Sequence, residues 1–332
     1  MIASVANRVL ILGAGCALAA CSAGTGVPTA VAGGTGSPVS AHLRTHSWMA
    51  MSARESKSLL YVSNAGNGTV TVYDYQGGNN LRLVGTLTGF STPEQPCIDA
   101  SGDVFVPDAG AASIVEYAHG GTAPIATLNF PGGVPYSCSV DIHDTGNLAV
   151  ANNDGYAGNV GIYAGATGSP TIFHPGLSSV LYVGYDPSGD LFVDGLKGVG
   201  SNQGSALAEF PNGGSGFSIL TMAGATVDYP QQVQWSGKHL LLGDLHVNNG
   251  NSGVYRMTVS GNTATVIATT QFSAFDQGGF WKLNGRGKVI AASASYGHGN
   301  AVYVYNYPSG SLYATITNGI SVPEGVAISV AR

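Results

Sequence analysis

Short runs of alternating apolar and polar residues recur along most of the chain, as in Thr69-Val70-Thr71-Val72-Tyr73. A period of two is typical of β-strands, because successive side chains of a strand point to opposite faces of the sheet. Turn-forming stretches such as Asp186-Pro187-Ser188-Gly189 separate the runs. Residues 59–332 contain no amphipathic helical pattern of useful length. The pattern therefore predicts an all-β fold.

One unit of sequence is repeated along these runs. A glycine that precedes a β-rich run recurs at spacings of 44, 43, 48 and 50 residues, at Gly102, Gly146, Gly189, Gly237 and Gly287. A large side chain that ends a short strand keeps the same period, at Tyr73, Tyr117, Tyr163, Phe210, Met257 and Tyr305. Repeats of this length with four short strands are typical of β-propeller blades. We expect a six-bladed β-propeller of four-stranded antiparallel blades over residues 58–332, with the periodic large side chains packing between blades.

Residues 93–106, with the sequence PEQPCIDASGDVFV, show the repeated unit best. The unit has a strand that ends in Asp, a turn, and a Val/Leu-Tyr/Phe-Val strand. It resembles the NHL-repeat and SMP-30/gluconolactonase-like six-bladed propellers, over nearly all of residues 59–332. The resemblance implies a fold but no particular activity, because propellers carry many functions.

The two ends of the predicted propeller complement each other. Residues 323–330 match only the first strand of a unit, whereas residue 59 begins with a second strand. We therefore expect the C-terminal strand to pair with the N-terminal blade and close the ring, which removes exposed sheet edges.

Composition narrows the possible partners. Only 9% of the 332 residues are charged, with 12 Lys and Arg against 18 Asp and Glu, and the net charge is −6. Binding to the phosphate backbone of a nucleic acid requires a basic protein surface, so a nucleic-acid partner is not expected. The 44% hydrophobic content excludes wholesale disorder.

The N-terminal segment predicts export. In residues 1–20, Arg8 precedes an apolar run of about ten residues, which is too short to span a bilayer. The run ends in Leu18-Ala19-Ala20-Cys21, which resembles the lipobox of bacterial lipoproteins and implies cleavage before Cys21 and its lipidation. The alternative is an ordinary secretory signal with an incidental Cys21. With Ser22 rather than Asp after the cysteine, a lipid anchor in the outer membrane or facing the periplasm is favoured.

The next segment and the remaining cysteines complete the predicted organisation. Residues 21–57 read as a flexible tether rich in Gly, Ser, Ala and Thr, although residues 41–57 also suit a segment packed on the domain. Cys97 and Cys138 fall in the first strands of neighbouring blades. An exported domain permits oxidation, so we expect them to form a disulfide; two buried thiols are the alternative.

Superposition of the repeats predicts a candidate site at one mouth of the channel. Equivalent positions at the start of the first strands carry Glu94, Tyr136, Leu181, Gln231, Gln277 and Glu324, and the loops after the second strands carry Asp108, Asp194 and Asp244. Such oxygen-rich groups suit Ca²⁺ or another divalent cation. Resemblance to the lactonases implies Glu94 or Glu324 as a metal ligand, but the other ligand positions of that family are absent. The alternative is that these Asp side chains bond their own turn backbone.

We therefore hypothesise a membrane-anchored, extracytoplasmic propeller that acts as a non-catalytic binding or scaffold module. The expected partner on its loop face is a protein, a peptide or a glycan, and the expected state is a monomer. One alternative is a divalent-metal-dependent lactonase or hydrolase at the channel mouth, and another is a structural protein of the envelope. No catalytic residue is assigned.

Overall fold

The computed structural model describes residues 46–75, 81–131, 133–155, 157–198, 204–247, 251–273, 280–284, 288–293 and 300–332. The predicted signal, the lipidation site Cys21, most of the tether and Gln277 lie outside these residues. None of the described helices is long and apolar enough to cross a membrane.

The described chain forms consecutive antiparallel sheets, here named A to F, as the repeat predicted. Sheet A contains β1 (Trp48–Met49), β2 (Ser58–Asn64), β3 (Thr69–Asp74), β4 (Arg82–Thr88) and β25 (Pro323–Val330). Sheet B contains β5 (Cys97–Ile98), β6 (Val104–Asp108), β7 (Ser113–Tyr117) and β8 (Pro124–Asn129). Sheet C contains β9 (Pro135–Val140), β10 (Leu148–Asn152), β11 (Asn159–Tyr163) and β12 (Thr171–Phe173).

The second half of the chain repeats this pattern. Sheet D contains β13 (Ser179–Tyr185), β14 (Leu191–Lys197), β15 (Gly204–Phe210) and β16 (Ser218–Ala223). Sheet E contains β17 (Pro230–Ser236), β18 (His239–Asp244), β19 (Gly253–Ser260) and β20 (Thr263–Gln271). Sheet F contains β21 (Phe280–Asn284), β22 (Lys288–Ser293), β23 (Ala301–Asn306) and β24 (Leu312–Ile316). The helical elements are α1 (Met51–Arg54) and 3₁₀ turns at Ala109–Ala111 and Ala164–Ala166.

Sheet A combines the two ends of the described chain. Strand β25 pairs antiparallel with β2, from Ser58 opposite Val330 to Asn64 opposite Pro323. It therefore occupies the first-strand position that β5, β9, β13, β17 and β21 hold in the other sheets. The strands that follow in each sheet are called second, third and outer strands below.

The ordered part of sheet A also begins before the predicted boundary at residue 58. Strand β1 pairs with β4, with Trp48 opposite Thr86 and Met49 opposite Gly85. The short helix α1 follows and buries Ala53. Residues 46–57 are therefore part of the domain rather than tether, because β1 satisfies backbone groups on the outer edge of β4.

The hydrophobic core lies in layers between consecutive sheets. Leu59, Tyr61, Val70 and Val72 of sheet A form one cluster with Val104 and Val106 of sheet B, and Phe105 of sheet B packs instead with sheet C. Second strands such as β6 and β10 are buried at every position, whereas the outer strand β20 alternates between buried and exposed residues. Strands covered on both faces become continuously apolar, which explains sequences such as Leu-Ala-Val-Ala in β10.

The periodic large side chains contact the end of the preceding sheet. The hydroxyl of Tyr163 in β11 donates to the carbonyl of Asn129 at 2.7 Å, and that of Tyr73 donates to Asn318. Ring contacts replace these hydrogen bonds elsewhere: centroids lie 6.1 Å apart for Phe90 and Tyr117, 4.8 Å for Phe173 and Phe210, and 4.4 Å for Phe272 and Tyr305. The periodic large side chains therefore form contacts between neighbouring sheets.

Sheets D and E are joined at their outer edges into one continuous eight-stranded sheet, which departs from the predicted separate four-stranded blades. Strand β16 pairs in parallel with β20, from Thr221 opposite Thr263 to Ala223 opposite Thr265. The alternation in the sequence does not encode this pairing, because parallel and antiparallel partners have the same period of two.

Removing residues 323–332 is expected to unfold or aggregate the protein. The deletion takes away β25, leaves the edge of β2 unpaired and uncovers apolar residues such as Leu60 and Val62. Thermal melting and light scattering measure the effect, with deletion of Arg332 alone as the control. An unchanged melting temperature after the longer deletion would contradict a structural role for this pairing.

Candidate functional site

The Asp and Asn residues at the ends of the second strands hold the backbone of the segments that lead into the first strands. Asp108 accepts hydrogen bonds from the N–H groups of Ser91 at 2.9 Å and Thr92 at 2.7 Å. Asn152 accepts from the N–H of Val134 at 2.7 Å. These bonds join distant segments of one sheet rather than closing the turn that follows the strand.

The same bond recurs in two other sheets. Asp244 accepts from the N–H groups of Asp228 at 3.2 Å and Tyr229 at 3.1 Å. Asn64 accepts from the N–H of Ser321 at 2.9 Å. Asp108 and Asp244, predicted as groups at the channel mouth, are therefore buried and bonded to the protein's own backbone. Their role in the structure is to fix these segments, here called the leading segments.

Sheet D departs from this pattern by one position. Gly195 stands where the other second strands have Asp or Asn, and Asp194 comes one residue earlier. The carboxylate of Asp194 accepts from the N–H of Tyr182 at 3.1 Å, and its Oδ2 has no hydrogen-bond partner. Burial raises the pKa of Asp194 well above its ordinary value. This side chain is therefore a buried carboxyl group rather than an exposed ligand.

The first strands carry a β-bulge near their starts. The pairing with the second strand skips one residue at Tyr136, Leu181, Gln232 and Glu324. Three of these positions coincide with the predicted ring of equivalent residues. In sheet E the bulge lies at Gln232, one residue after the predicted Gln231. Bulges redirect side chains and are common beside functional sites.

Glu94 and Glu324 form the acidic part of this site. The N–H of Glu94 donates to Pro107 at 2.9 Å, and a Cβ added to Gly325 would lie 2.5 Å from the Cα of Gln95. The two glutamates therefore come from closely packed segments. Glu94 is 7% exposed and its Oε2 has no hydrogen-bond partner.

Burial shifts both glutamates toward the protonated form. Burial, followed by the charges of Glu324 and Asp108, raises the pKa of Glu94 well above its usual range. Burial raises the pKa of Glu324 to about 7. Near neutral pH the pair can therefore hold protons and act as hydrogen-bond donors.

Two tyrosines continue the polar site toward sheet D. The rings of Tyr136 and Tyr182 lie 5.7 Å apart. Burial, together with the charges of Glu94 and Glu324, raises the pKa of Tyr136 well above its ordinary value. Burial also raises the pKa of Tyr182, with Tyr136 as the next contribution. Superposing the repeats missed Tyr182, because it selects one residue at each bulge, which in sheet D is the apolar Leu181.

The described residues fit a metal centre poorly. They contain no group of three or more His, Cys, Asp and Glu side chains that could hold a metal ion. Of the predicted ligands, Glu94 and Glu324 lie near one another. The carboxylates of Asp108 and Asp244 instead accept hydrogen bonds from backbone N–H groups of the leading segments. Gln277 lies outside the described residues.

Cys97 and Cys138 are joined by a disulfide, with an S–S distance of 2.09 Å and Cα atoms 5.5 Å apart. It connects the first strands of sheets B and C. A cross-link that closes a loop of this length, 41 residues apart in sequence, stabilises a fold by about 4 kcal/mol in the chain-entropy estimate.

Comparison with known proteins identifies the fold. No protein-family profile matches the chain, and no curated protein is similar to it in sequence. A chain of a nidogen/laminin complex is 13% identical, with a TM-score of 0.64 over 83% of this chain and 99% of that one. A functionally unknown protein from Desulfotomaculum acetoxidans is 14% identical, with a TM-score of 0.56 over 87% and 89%. A protein of unknown function from Bacteroides caccae is 12% identical, with a TM-score of 0.59 over 82% and 99%. Together with the consecutive four-stranded sheets, these likenesses identify a β-propeller.

Replacing Glu324 by Gln is expected to reduce the dependence of stability on pH. A raised pKa in the folded state means that folding retains the proton, so the free energy of unfolding is highest below the unfolded pKa of about 4.5. It then falls as the pH rises to about 7. Because Gln mimics the neutral acid, E324Q should be more stable than the wild type at pH 8, by up to about 3 kcal/mol, and similar at pH 4.5.

Urea unfolding between pH 4.5 and pH 8 measures this difference. The variant E55Q is the control, because Glu55 is an exposed carboxyl group near α1. Parallel pH profiles for E324Q and the wild type would contradict the assigned burial of Glu324.

Proposed function

We propose that this protein is a protein-binding β-propeller module with no catalytic role, in which six blades form a ring that β25 closes. The six-blade arrangement is supported by the six groups of strands in sheets A to F, five of which have four strands while sheet A has five. It is also supported by the contacts of Tyr73 in sheet A with Asn318, which follows the outer strand of sheet F. A closed ring gives every sheet two neighbours, as the layered core requires.

The observation that carries the binding proposal is the fixing of the leading segments by buried Asp and Asn side chains. Those of sheets C and E present exposed apolar side chains, Val134 and Tyr229, beside the backbone N–H groups that Asn152 and Asp244 hold. Segments that are already fixed lose little entropy on binding, which favours affinity. Aromatic and apolar side chains on such segments are typical of protein interfaces.

The compared structures support a protein as the partner. One of the similar chains comes from a crystal structure described as a nidogen/laminin complex, a complex between proteins. With few charges on this chain, an apolar and hydrogen-bonded interface is favoured over an ion-paired one.

We place the module outside the cytoplasm, anchored through a lipid on Cys21. The match of residues 18–21 to a lipobox supports the anchor. The Cys97–Cys138 disulfide supports an oxidising compartment, since disulfides form and persist there. Within this proposal, residues 22–45 would serve as the spacer between the membrane and the propeller.

Photo-crosslinking tests the binding face. Benzoylphenylalanine placed at position 134 or 229 of the full chain, in cells of the source organism, should give a covalent adduct with a discrete protein. Positions 219 and 313 on outer strands are matched controls, because Val134 and Ile219 are both 38% exposed, and Tyr229 and Tyr313 are 42% and 38% exposed. Absence of adducts at 134 and 229, or equal adducts at all four positions, would contradict the proposed face.

A divalent-metal-dependent lactonase or hydrolase is the second candidate. It is favoured by one observation, the unpartnered Oε2 of Glu94 in the same buried site as Glu324. Two carboxyl groups are fewer than a calcium site ordinarily uses, so this candidate ranks below the binding module.

Thermal melting with and without metal separates the two candidates. The binding module predicts that millimolar Ca²⁺, Mg²⁺ or Mn²⁺ leaves the melting temperature unchanged. A bound metal would instead raise it by mass action, by an equivalent of about 2.7 kcal/mol at a hundredfold excess over Kd. An increase that disappears in the double variant E94Q/E324Q would favour the hydrolase and count against a purely non-catalytic role.

A further inference from the structure

The first strand of sheet B is paired less extensively than those of the other sheets. Strand β5 has two residues, whereas the first strands of the other sheets have five to eight. Prolines explain the short pairing, because Pro93, Pro96 and Pro107 of the neighbouring β6 have no N–H to donate between the strands. Residues 93–98 therefore depend on contacts other than those of a β-ladder.

A side-chain amide joins this segment to sheet A. Gln95 Nε2 donates to the carbonyl of Val326 at 2.9 Å, and Gln95 Oε1 accepts from the N–H of Val326 at 3.1 Å. The amide thus pairs with β25 as the backbone of a neighbouring strand would. A Cβ added to Gly325 would lie 2.5 Å from the Cα of Gln95 and 2.6 Å from the Cδ of Pro96. Strand β25 is therefore held by this segment as well as by its pairing with β2.

The disulfide fixes the same segment from the side of sheet C. Cys97 lies two residues after Gln95 and is bonded to Cys138 of β9. The Sγ of Cys138 lies 3.8 Å from the carbonyl oxygen of Gln95. The N–H of Gln95 donates to the carbonyl of Tyr136 at 3.1 Å. Because the ladder with β6 is short, the covalent bond is the strongest restraint on the residues that hold Gln95 against β25.

A small thiol can approach the disulfide. Cys97 is 9% exposed and Cys138 is 3% exposed, and both border a cavity of about 330 Å³. Ile142 also borders this cavity and is 45% exposed, so the cavity opens to solvent on that side.

A dithiol supplies the two electrons that reduction requires. One thiolate of the dithiol attacks the Sγ of Cys97, the S–S bond breaks, and Cys138 leaves as a thiolate that takes up a proton. The second thiol of the reductant then displaces Cys97 as a thiol, and the reductant becomes a disulfide.

We propose that the Cys97–Cys138 disulfide is a redox-sensitive latch for β25. In the oxidised protein it holds residues 93–98 and so keeps the amide of Gln95 on Val326. Reduction releases this segment, weakens both bonds of Gln95 and increases the local opening of β25. The latch acts through contacts of sheets A, B and C, and it does not depend on the partner proposed for the binding face.

Hydrogen exchange of the folded full chain, with and without dithiothreitol, tests the latch. Mass spectrometry after alkylation confirms that Cys97 and Cys138 are reduced. Peptides covering residues 93–98 and 323–330 should exchange about tenfold faster after reduction, because the segment that holds β25 is then free to open. Peptides covering β17 are the control, since β17 carries no cysteine and pairs with β18 along its length.

Three results would overturn the proposal. The first is a folded chain that resists reduction by dithiothreitol. The second is unchanged exchange of residues 323–330 after reduction, and the third is an equal acceleration in β17, which indicates a general loss of stability. The double variant C97S/C138S should exchange like the reduced chain with or without dithiothreitol, and exchange like that of the oxidised wild type would also count against the latch.

The variant Q95M tests whether Gln95 transmits the effect to β25. Methionine fills a similar volume without an amide, so Q95M should accelerate exchange of residues 323–330 with the disulfide intact, and reduction should then add little there. Q232M is the matched control, because Gln232 is a buried glutamine of a first strand whose Nε2 donates to Val233 and not to β25. It should respond to reduction as the wild type does. Additive effects of Q95M and reduction on β25 would overturn the assigned role of Gln95.

Discussion

The structure depends on the requirement that both faces of each sheet are covered by its neighbours. The second strands of sheets A, B and C are buried at nearly every position, so these sheets cannot be stable alone. The residues that end the third strands meet this requirement by contacting the end of the preceding sheet. Tyr163 does so through a hydrogen bond to Asn129, and Phe210 through its ring contact with Phe173. The large side chain that recurs in the sequence therefore marks the contact between neighbouring sheets.

Several buried polar side chains in this protein form hydrogen bonds with the protein's own backbone. Asp108 and Asn152 satisfy N–H groups of the leading segments, which would otherwise be unpaired next to buried strands. Gln95 does the same for the two backbone groups of Val326. Among the described residues, Glu94 and Asp194 each keep one carboxylate oxygen without a hydrogen-bond partner. Asp244 also keeps one unpaired oxygen although it bonds its leading segment, so an unpaired atom alone does not distinguish a functional residue from a structural one.

The repeat period was sufficient to predict the all-β class, the four-stranded sheets and the positions of the first strands, because each follows from alternation and spacing. It could not predict the bulges, since an extra residue leaves the period almost unchanged. In sheet E the predicted residue, Gln231, therefore lies one position before the bulge, whereas in sheet D the predicted residue, Leu181, lies at the bulge and the polar Tyr182 comes after it. The sequence left residues 41–57, which include β1, open between tether and a segment packed on the domain for a related reason. Two residues at an edge carry too short a pattern to be recognised, and their pairing with β4 is determined by tertiary contact.

Burial also explains the protonation behaviour of the acidic site. Glu94 and Glu324 come from closely packed segments, and burial raises the pKa of both carboxyl groups, that of Glu324 to about 7. The charge of Glu324 raises the pKa of Glu94 further, because two like charges in one buried site disfavour each other. Ionisation of these carboxyl groups in the folded state therefore opposes folding, unlike ionisation of Asp141, whose pKa is lowered where backbone N–H groups donate to its carboxylate. The same type of side chain thus has opposite effects on stability, depending on whether the surrounding backbone supplies hydrogen-bond donors.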